Sequence, residues 1–189
     1  MPDGSASARI DILVVGYADS SSMAATVGLI RDSGRVIVVD PGQVRGREMI
    51  LDPLAKLGLW ADDITHVFVT HHHLTHTMNI ALFRKAELVD YRSSRRADQV
   101  MQHQGEGYRI SPNTQIWLTP GHTPQDATLV VDTSEGRQAF THLWWRSDRS
   151  PAVDPYCLDP AELARNRQRV LDNVDVVIPG HGAPFRVKP

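Results

Sequence analysis

The chain has 189 residues, 41% of them hydrophobic and 22% charged, which is the profile of an ordinary globular domain with a real core. A formal net charge of −2 gives no default case for nucleic acid or an anionic membrane as partner, and no apolar run reaches membrane-spanning length. The single cysteine, Cys157, excludes an internal disulfide framework and any cysteine-rich metal site, and reads as a packing or loop thiol.

Residues 1 to 9 are small and mostly polar, a frayed start with nothing after it resembling a signal peptide, so the expected location is the cytoplasm. Ile10 to Val15 is an apolar, β-branched run that stops at Gly16 and predicts a strand; Tyr17 to Ser22 predicts a loop. Thr26 to Arg31 and Arg35 to Val39 flank Asp32-Ser33-Gly34, a hairpin signal, and the second arm ends at Asp40-Pro41-Gly42. Over residues 45 to 58, Met49, Ile50, Leu54 and Leu57 recur at helical spacing, with Gly58 at the capping position. A buried strand, Val67 to Thr70, then runs straight into His71-His72-His73-Leu74-Thr75-His76. A short helix is expected over Thr77 to Phe83, a strand over Ala86 to Tyr91, and polar connecting sequence from Arg92 to Gly107.

Ile116 to Leu118 is a short strand that ends in Pro120-Gly121-His122. Thr128 to Asp132 and Gln138 to Leu143 form a hairpin whose second arm carries His142. Pro160 to Leu171 is the clearest helix, with Asp159 as N-cap and proline in the first position. Val174 to Ile178 is a strand that stops at Pro179-Gly180-His181-Gly182. No repeat or linker divides the chain, which reads as one domain over 1–189.

Strand, loop, histidine is therefore the recurring unit, at 71–76, 122, 142 and 181. Imidazole is the commonest neutral metal ligand, and ligands carried on strand ends can converge at one edge of a sheet. On an extended loop, positions i and i+2 point the same way, so His71 and His73 can chelate together while His72 faces elsewhere. Of the nine histidines, His66 and His103 read as structural or surface side chains. The metal candidates are His71, His73, His76, His122, His142 and His181.

In order and spacing, residues 10 to 187 resemble the metallo-β-lactamase fold hydrolases, whose loop reads His-x-His-x-Asp-His and is followed by a lone His, an Asp and a final His. His71, His73 and His76 match the loop, His122 the lone histidine, His181 the last, and Asp40 with Gly42 the Asp-x-Gly that ends an early strand. The resemblance implies an α/β protein of the four-layer αββα sandwich type, with metal at the edge between two sheets. It implies His71, His73 and His122 around one ion, of the three-imidazole kind that lowers the pKa of bound water to about 7. It implies His76, His142 and His181 around a second. The ending Ile-Pro-Gly-His-Gly-Ala-Pro-Phe-Arg-Val is close to a branch of the family linked to RNA phosphodiester cleavage.

Two positions depart from the family pattern. Thr75 stands where the loop Asp positions the attacking water, and His142 where an Asp bridges the ions. Threonine cannot act as a base near neutral pH, and an imidazole nitrogen binds one metal only. One tightly held ion, or two with an unequal second site, is therefore expected, unless a carboxylate such as Asp126 or Asp148 approaches. Tyr17, Asp19, Tyr91, Arg92, Trp144 and Trp145 adjoin these strand ends as candidate pocket residues, the two tryptophans equally as packing residues; Ser93-Ser94-Arg95-Arg96 reads as a solvated loop. The expected activity is a zinc-dependent hydrolase, with iron or manganese as other candidate metals, acting with His71, His73, His122 and Thr75 on a phosphodiester, thioester or lactone. A small molecule or a nucleic acid is the expected substrate, no membrane partner is expected, and a homodimer is a candidate assembly. The rival reading is a non-catalytic metal-binding sensor or interaction protein on the same fold.

Overall fold

The computed structural model describes residues 7–146 and 153–187. Strands β1 (Arg9–Val14), β2 (Tyr17–Ala18), β3 (Met23–Ala24), β4 (Val27–Asp32) and β5 (Arg35–Val39) precede helix α1 (Glu48–Lys56). Strand β6 (His66–Phe68), helix α2 (Leu74–Thr77), and strands β7 (Glu87–Val89), β8 (Ser93–Arg96) and β9 (Gln99–Gln102) complete the first half. Strands β10 (Thr114–Leu118), β11 (Ala127–Thr133) and β12 (Gly136–Thr141), helix α3 (Pro160–Asn173), and strands β13 (Val176–Pro179) and β14 (Phe185–Arg186) form the second.

Two main sheets result: seven strands in the order β1-β4-β5-β6-β7-β8-β9, and five in the order β10-β11-β12-β13-β14. Their facing sides bury Ile30, Ile37, Val39, Phe68 and Val89 from one sheet against Ile116, Leu129, Val131, Phe140 and Ile178 from the other. On the outer side of the first sheet, Ile50 and Leu54 of α1 pack on Leu29, Val38 and Val67. On the outer side of the second, Leu163 and Val170 of α3 pack on Val130, Ala139 and Val177. Because both faces are covered there, Val36–Val39 of β5 and Val176–Ile178 of β13 are continuously apolar, and the layers run helix, sheet, sheet, helix.

The helices follow their local signals. Helix α1 ends in Gly58 at φ 75°, whose amide donates to the Ala55 carbonyl. Helix α3 is capped by Asp159, whose Oδ1 accepts from the amides of Ala161 (2.9 Å) and Glu162 (3.0 Å).

Several expectations are corrected. The helix placed at Thr77 to Phe83 begins earlier, at Leu74, inside the histidine loop, and a 3-10 turn covers Ile80–Leu82. The Thr77 hydroxyl donates to the His73 carbonyl and so closes that first turn. The segment from Arg92 to Gly107 is not connecting sequence throughout: it holds the hairpin β8–β9, turned at Ala97 with φ 55°. Ser93 and Ser94 are buried in that hairpin, contrary to a solvated loop. The loop at Tyr17 to Ser22 contributes β2, which pairs with β3.

Strands β5 and β6 run parallel, as do β12 and β13, so their C-terminal ends share an edge. At that edge the sheets are stitched together: the Ala127 amide donates to the Thr70 carbonyl (2.9 Å) and the Thr26 amide to the Gly180 carbonyl (2.8 Å). Among the described residues, no helix is long and apolar enough to cross a membrane.

Candidate metal centre

Five of the six singled-out histidines lie just beyond a strand end. His71 and His73 follow β6; His76 sits in α2; His122 follows β10, His142 follows β12 and His181 follows β13. Amides of Gly180 and His181 donate to the carbonyls of Trp144 (3.1 Å) and Trp145 (2.6 Å), continuing the β12–β13 alignment and bringing His142 beside His181. Five of the rings are buried, and His73 is half-buried.

Two groups of ring nitrogens lie within 4.8 Å of one another: His71, His73 and His122; and His71, His76 and His142. The first is the expected trio. The second differs from expectation, because His71 rather than His181 completes it. His181 joins through His76, the two Nε2 atoms lying 3.4 Å apart.

The outer nitrogens fix the tautomers. His122 Nδ1 lies 2.8 Å from Asp154 Oδ2, and His181 Nδ1 lies 2.9 Å from the Ala24 carbonyl, so both nitrogens carry the proton. His76 Nδ1 lies 2.9 Å from Asp40 Oδ2. The Thr70 hydroxyl donates to that same Asp40 oxygen at 2.7 Å, so it can only accept from His71 Nδ1, 3.1 Å away. Four Nε2 lone pairs are thus left pointing inwards. His71 Nε2 and His122 Nε2 each lie 3.1 Å from His73 Nδ1. Tetrahedral zinc–imidazole bonds of about 2.05 Å would place donor nitrogens about 3.3 Å apart. Burial lowers the pKa of all six rings, most strongly for His71, His76 and His142, so they are neutral donors at pH 7. Four Nε2 lone pairs converging around His73 Nδ1 are an arrangement that a cation can resolve, and the residues present fit a divalent metal.

His142 is built into this cluster. A Cβ on Gly180 would overlap its ring, so the glycine leaves the space the imidazole fills. Its Nδ1 is buried without a hydrogen-bond partner.

Asp40 and Asp154 stand behind the rings. Asp40 adopts φ 48°, a left-handed conformation that costs of order 1 kcal/mol outside glycine. It presents Oδ1 to the Thr70 amide (2.7 Å) and Oδ2 to His76. Burial pushes its carboxyl up to about 7 against the opposing Thr70 bonds. Burial acts in the same direction on Asp154, but hydrogen bonds from His122, the Tyr156 amide and Trp145 outweigh it and hold the carboxyl below its ordinary value.

Above the rings lies a cavity of about 320 Å³, walled by Met23, Leu74, Thr75, Trp145 and Tyr156. Thr75 is half-buried there. Tyr17, Asp19, Tyr91, Arg92 and Trp144 do not line it. Trp144 packs in the core beneath α3, while Tyr91 and Arg92 border a separate polar groove with His72. His72 points away from the cluster, its Nε2 3.3 Å from Asp90. Asp126 does not approach: its carboxylate is turned back onto the Thr123 amide (2.9 Å) and hydroxyl (2.6 Å). Asp148 lies outside the described residues. Sequence reasoning missed Asp154, an acidic residue 32 positions from His122 with no local signal linking the two.

Residues 23–142 match the model of the metallo-beta-lactamase superfamily. The metallo-beta-lactamase domain-containing protein 1 of Homo sapiens is 37% identical over 158 residues, covering 80% of this chain and 59% of that protein. Its Xenopus laevis counterpart is 35% identical, covering 80% and 68%. The chain thus spans roughly three-fifths to two-thirds of these curated relatives. Among solved structures, a metallo-beta-lactamase candidate from Thermotoga maritima superposes with a TM-score of 0.74 at 22% identity, over 95% of this chain and 99% of the other. An N-acyl homoserine lactone hydrolase, with product bound at its catalytic metal centre, superposes with a TM-score of 0.66 at 15% identity, over 94% and 93%.

Proposed function

This chain belongs to the metallo-beta-lactamase superfamily, and on that premise we propose that it is a metal-dependent hydrolase of an ester-type bond. The observation that carries the reading is the set of inward lone pairs whose tautomers are fixed from behind by Asp40, Asp154, Thr70 and the Ala24 carbonyl. His71, His73 and His122 would hold one ion; His76, His142 and His181, with His71 shared, would hold a second. A divalent ion there supplies Lewis acidity and lowers the pKa of water toward 7. Zinc is the metal we assign, because an all-imidazole donor set suits it better than hard oxygen-seeking ions such as manganese; iron(II) is the next candidate.

The chain's own groups supply the rest. His73 is the ring most open to the cavity, so a substrate meets the cluster from its side. Met23, Leu74, Trp145 and Tyr156 offer apolar walls that exclude water from the reacting bond. The Thr75 hydroxyl can donate or accept one hydrogen bond to the substrate but takes no proton at neutral pH. A lactone, a thioester or a phosphodiester is the proposed substrate class, and the lone Cys157, free within the chain, accords with a reducing, cytoplasmic setting.

A second reading has its own observation. No carboxylate lines the cavity among the described residues, so the site offers no carboxylate base, as a non-catalytic metal-binding protein would have it. Elemental analysis of the purified protein, followed by chelator-sensitive turnover assays on lactone, thioester and phosphodiester substrates, separates the two. Bound metal with turnover supports the hydrolase; bound metal with none across the panel supports the binding protein; a protein that takes up no metal defeats both. Thr75→Asp sharpens the result. A large rise in turnover would mark the present site as lacking a base, and an unchanged rate would mean that the chemistry does not use this position.

A further inference from the structure

The side chain with the most consequential surroundings beyond the six rings is Asp154. Its side chain is almost wholly buried, yet it lies in a surface segment whose neighbours Val153, Tyr156 and Leu158 are well exposed. One carboxylate therefore anchors an otherwise outward-facing stretch. Oδ2 accepts from His122 Nδ1 (2.8 Å) and Trp145 Nε1 (2.9 Å); Oδ1 accepts from His122 Nδ1 (3.0 Å) and the Tyr156 amide (3.0 Å). The Tyr156 ring is thereby laid against His73 and His122, at centroid distances of 5.0 and 5.1 Å, and against Trp145. Tyr156 and Trp145 are also two walls of the cavity.

We propose that Asp154 is a positioning residue that couples His122 to the aromatic wall of the cavity, so that closure of the wall and the correct setting of His122 are one state. The inference rests on the metal-site reading above. Its physical basis is shared acceptance. Three donors from three separate places in the chain converge on two oxygens, so the segment cannot swing away without leaving His122 Nδ1–H unpaired in a buried setting, which costs more than an exposed hydrogen bond. An imidazole donating to a carboxylate is also a more basic and better oriented ligand. Asp40 makes the contrast clear. It holds His76 in a similar way, but its other partners are the Thr70 amide and hydroxyl at the sheet edge, so it ties His76 to the scaffold and not to the wall.

Asparagine at 154 keeps the shape but offers one acceptor oxygen and an amide that donates, so it cannot serve all three donors. Zinc and cobalt titrations of chelator-treated protein are the test, read by affinity, by the cobalt visible spectrum and by hydrogen exchange at residues 153–158. In the unaltered chain, zinc should slow exchange of the Tyr156 amide. Asp154→Asn should weaken binding of the ion held by His71, His73 and His122 by about 10–100-fold, alter the cobalt spectrum, and remove the zinc-dependent protection even at saturating zinc. Tyr156→Ala leaves the carboxylate and the amide at 156 in place, so it should bind zinc within about threefold of the unaltered chain and keep most of the zinc-dependent protection. Wild-type affinity and protection in Asp154→Asn would overturn this inference alone. Should Asp154→Asn not fold, the unaltered chain still decides: no zinc-dependent protection at 153–158 overturns the coupling. A chain that binds no metal overturns both this inference and the metal-site reading.

Discussion

The two halves of the histidine cluster share His71 but are built differently. The half with His73 and His122 opens onto the cavity, and the carboxylate behind it, Asp154, sits in a surface segment. The half with His76 and His142 is more deeply buried, with only His142 of that pair bordering the cavity, and Asp40 behind it is set in a strand end and held by Thr70. Their electrostatics diverge accordingly: burial leaves the Asp40 carboxyl raised to about 7, whereas three donors hold that of Asp154 below its ordinary value. The half with His73 is the more accessible of the two from the cavity. The second half is the more deeply set of the two, although His142 and His181 also border the cavity.

The largest effect is expected at the shared ring. His71→Ala removes a donor from both groups, so the purified variant should contain almost no metal, and hydrolysis should fall more than about a hundredfold, beyond what loss of an outer partner alone costs. Elemental analysis beside a turnover assay reads both. Retention of a full complement of metal would mean that the two groups do not meet at His71.

Gly180→Ala attacks the deeper half alone. Its methyl group would overlap the His142 ring and force it aside. Overpacking of this kind costs about 1–3 kcal/mol, which calorimetry should show as a Tm lowered by several degrees. The metal content should fall while the cobalt spectrum of the open half is kept. Equal loss from both halves would show that they are not separable.

Protons test the cluster as a whole. The six rings have pKa values lowered by burial, so in the metal-free protein the folded state stays neutral where the unfolded chain takes up protons. Stability supplied by that neutrality is present above the unfolded value of about 6.5 and is lost as pH falls below it, by about 1.4 kcal/mol per pH unit for each fully excluded proton. Asp40 and Asp126, both raised to about 7, act with the opposite sign between pH 4 and 7, but they are two against six. The metal-free protein should therefore melt at a lower temperature at pH 5 than at pH 7.5, and zinc should steepen that dependence because protons compete for the same nitrogens.

Much of this architecture was legible in the chain because its signals are local. The hairpin around Asp32-Ser33-Gly34, the capped helix at Pro160 and the left-handed Gly58 each depend on a few neighbouring residues, and the structure contains all three. The histidines stood out because each follows an apolar run and a turn. What escaped notice depends on distant partners. Nothing near Asp154 points to His122, and nothing in Ser93-Ser94-Arg95-Arg96 suggests a strand until buried Asp90 gathers the Ser93 amide and hydroxyl and the Arg95 guanidinium. The early start of α2 was missed because a histidine-rich loop carries no helix propensity signal of its own; the turn closes through Thr77 and the His73 carbonyl.

The mildest change tests the alternation that separates ligand from bystander in the opening loop. His72 lies between two inward rings and points to the other side, 3.3 Å from Asp90 and well exposed. His72 helps hold the Asp90 carboxylate ionised, but Asp90 has other partners. That carboxylate already accepts from the amides of Arg92 (3.0 Å) and Ser93 (2.7 Å), the Ser93 hydroxyl (2.9 Å) and Arg95 (2.7 Å). Removing His72 therefore leaves no buried acceptor unpaired, and a pair whose imidazole faces solvent is worth little, about 0–1 kcal/mol. His72→Ala should keep its metal content, its cobalt spectrum and, within about twofold, its turnover, with Tm shifted by a degree or two at most. Loss of an ion from this variant would place His72 in the cluster, and the division between an open half and a deeper half would have to be redrawn around it.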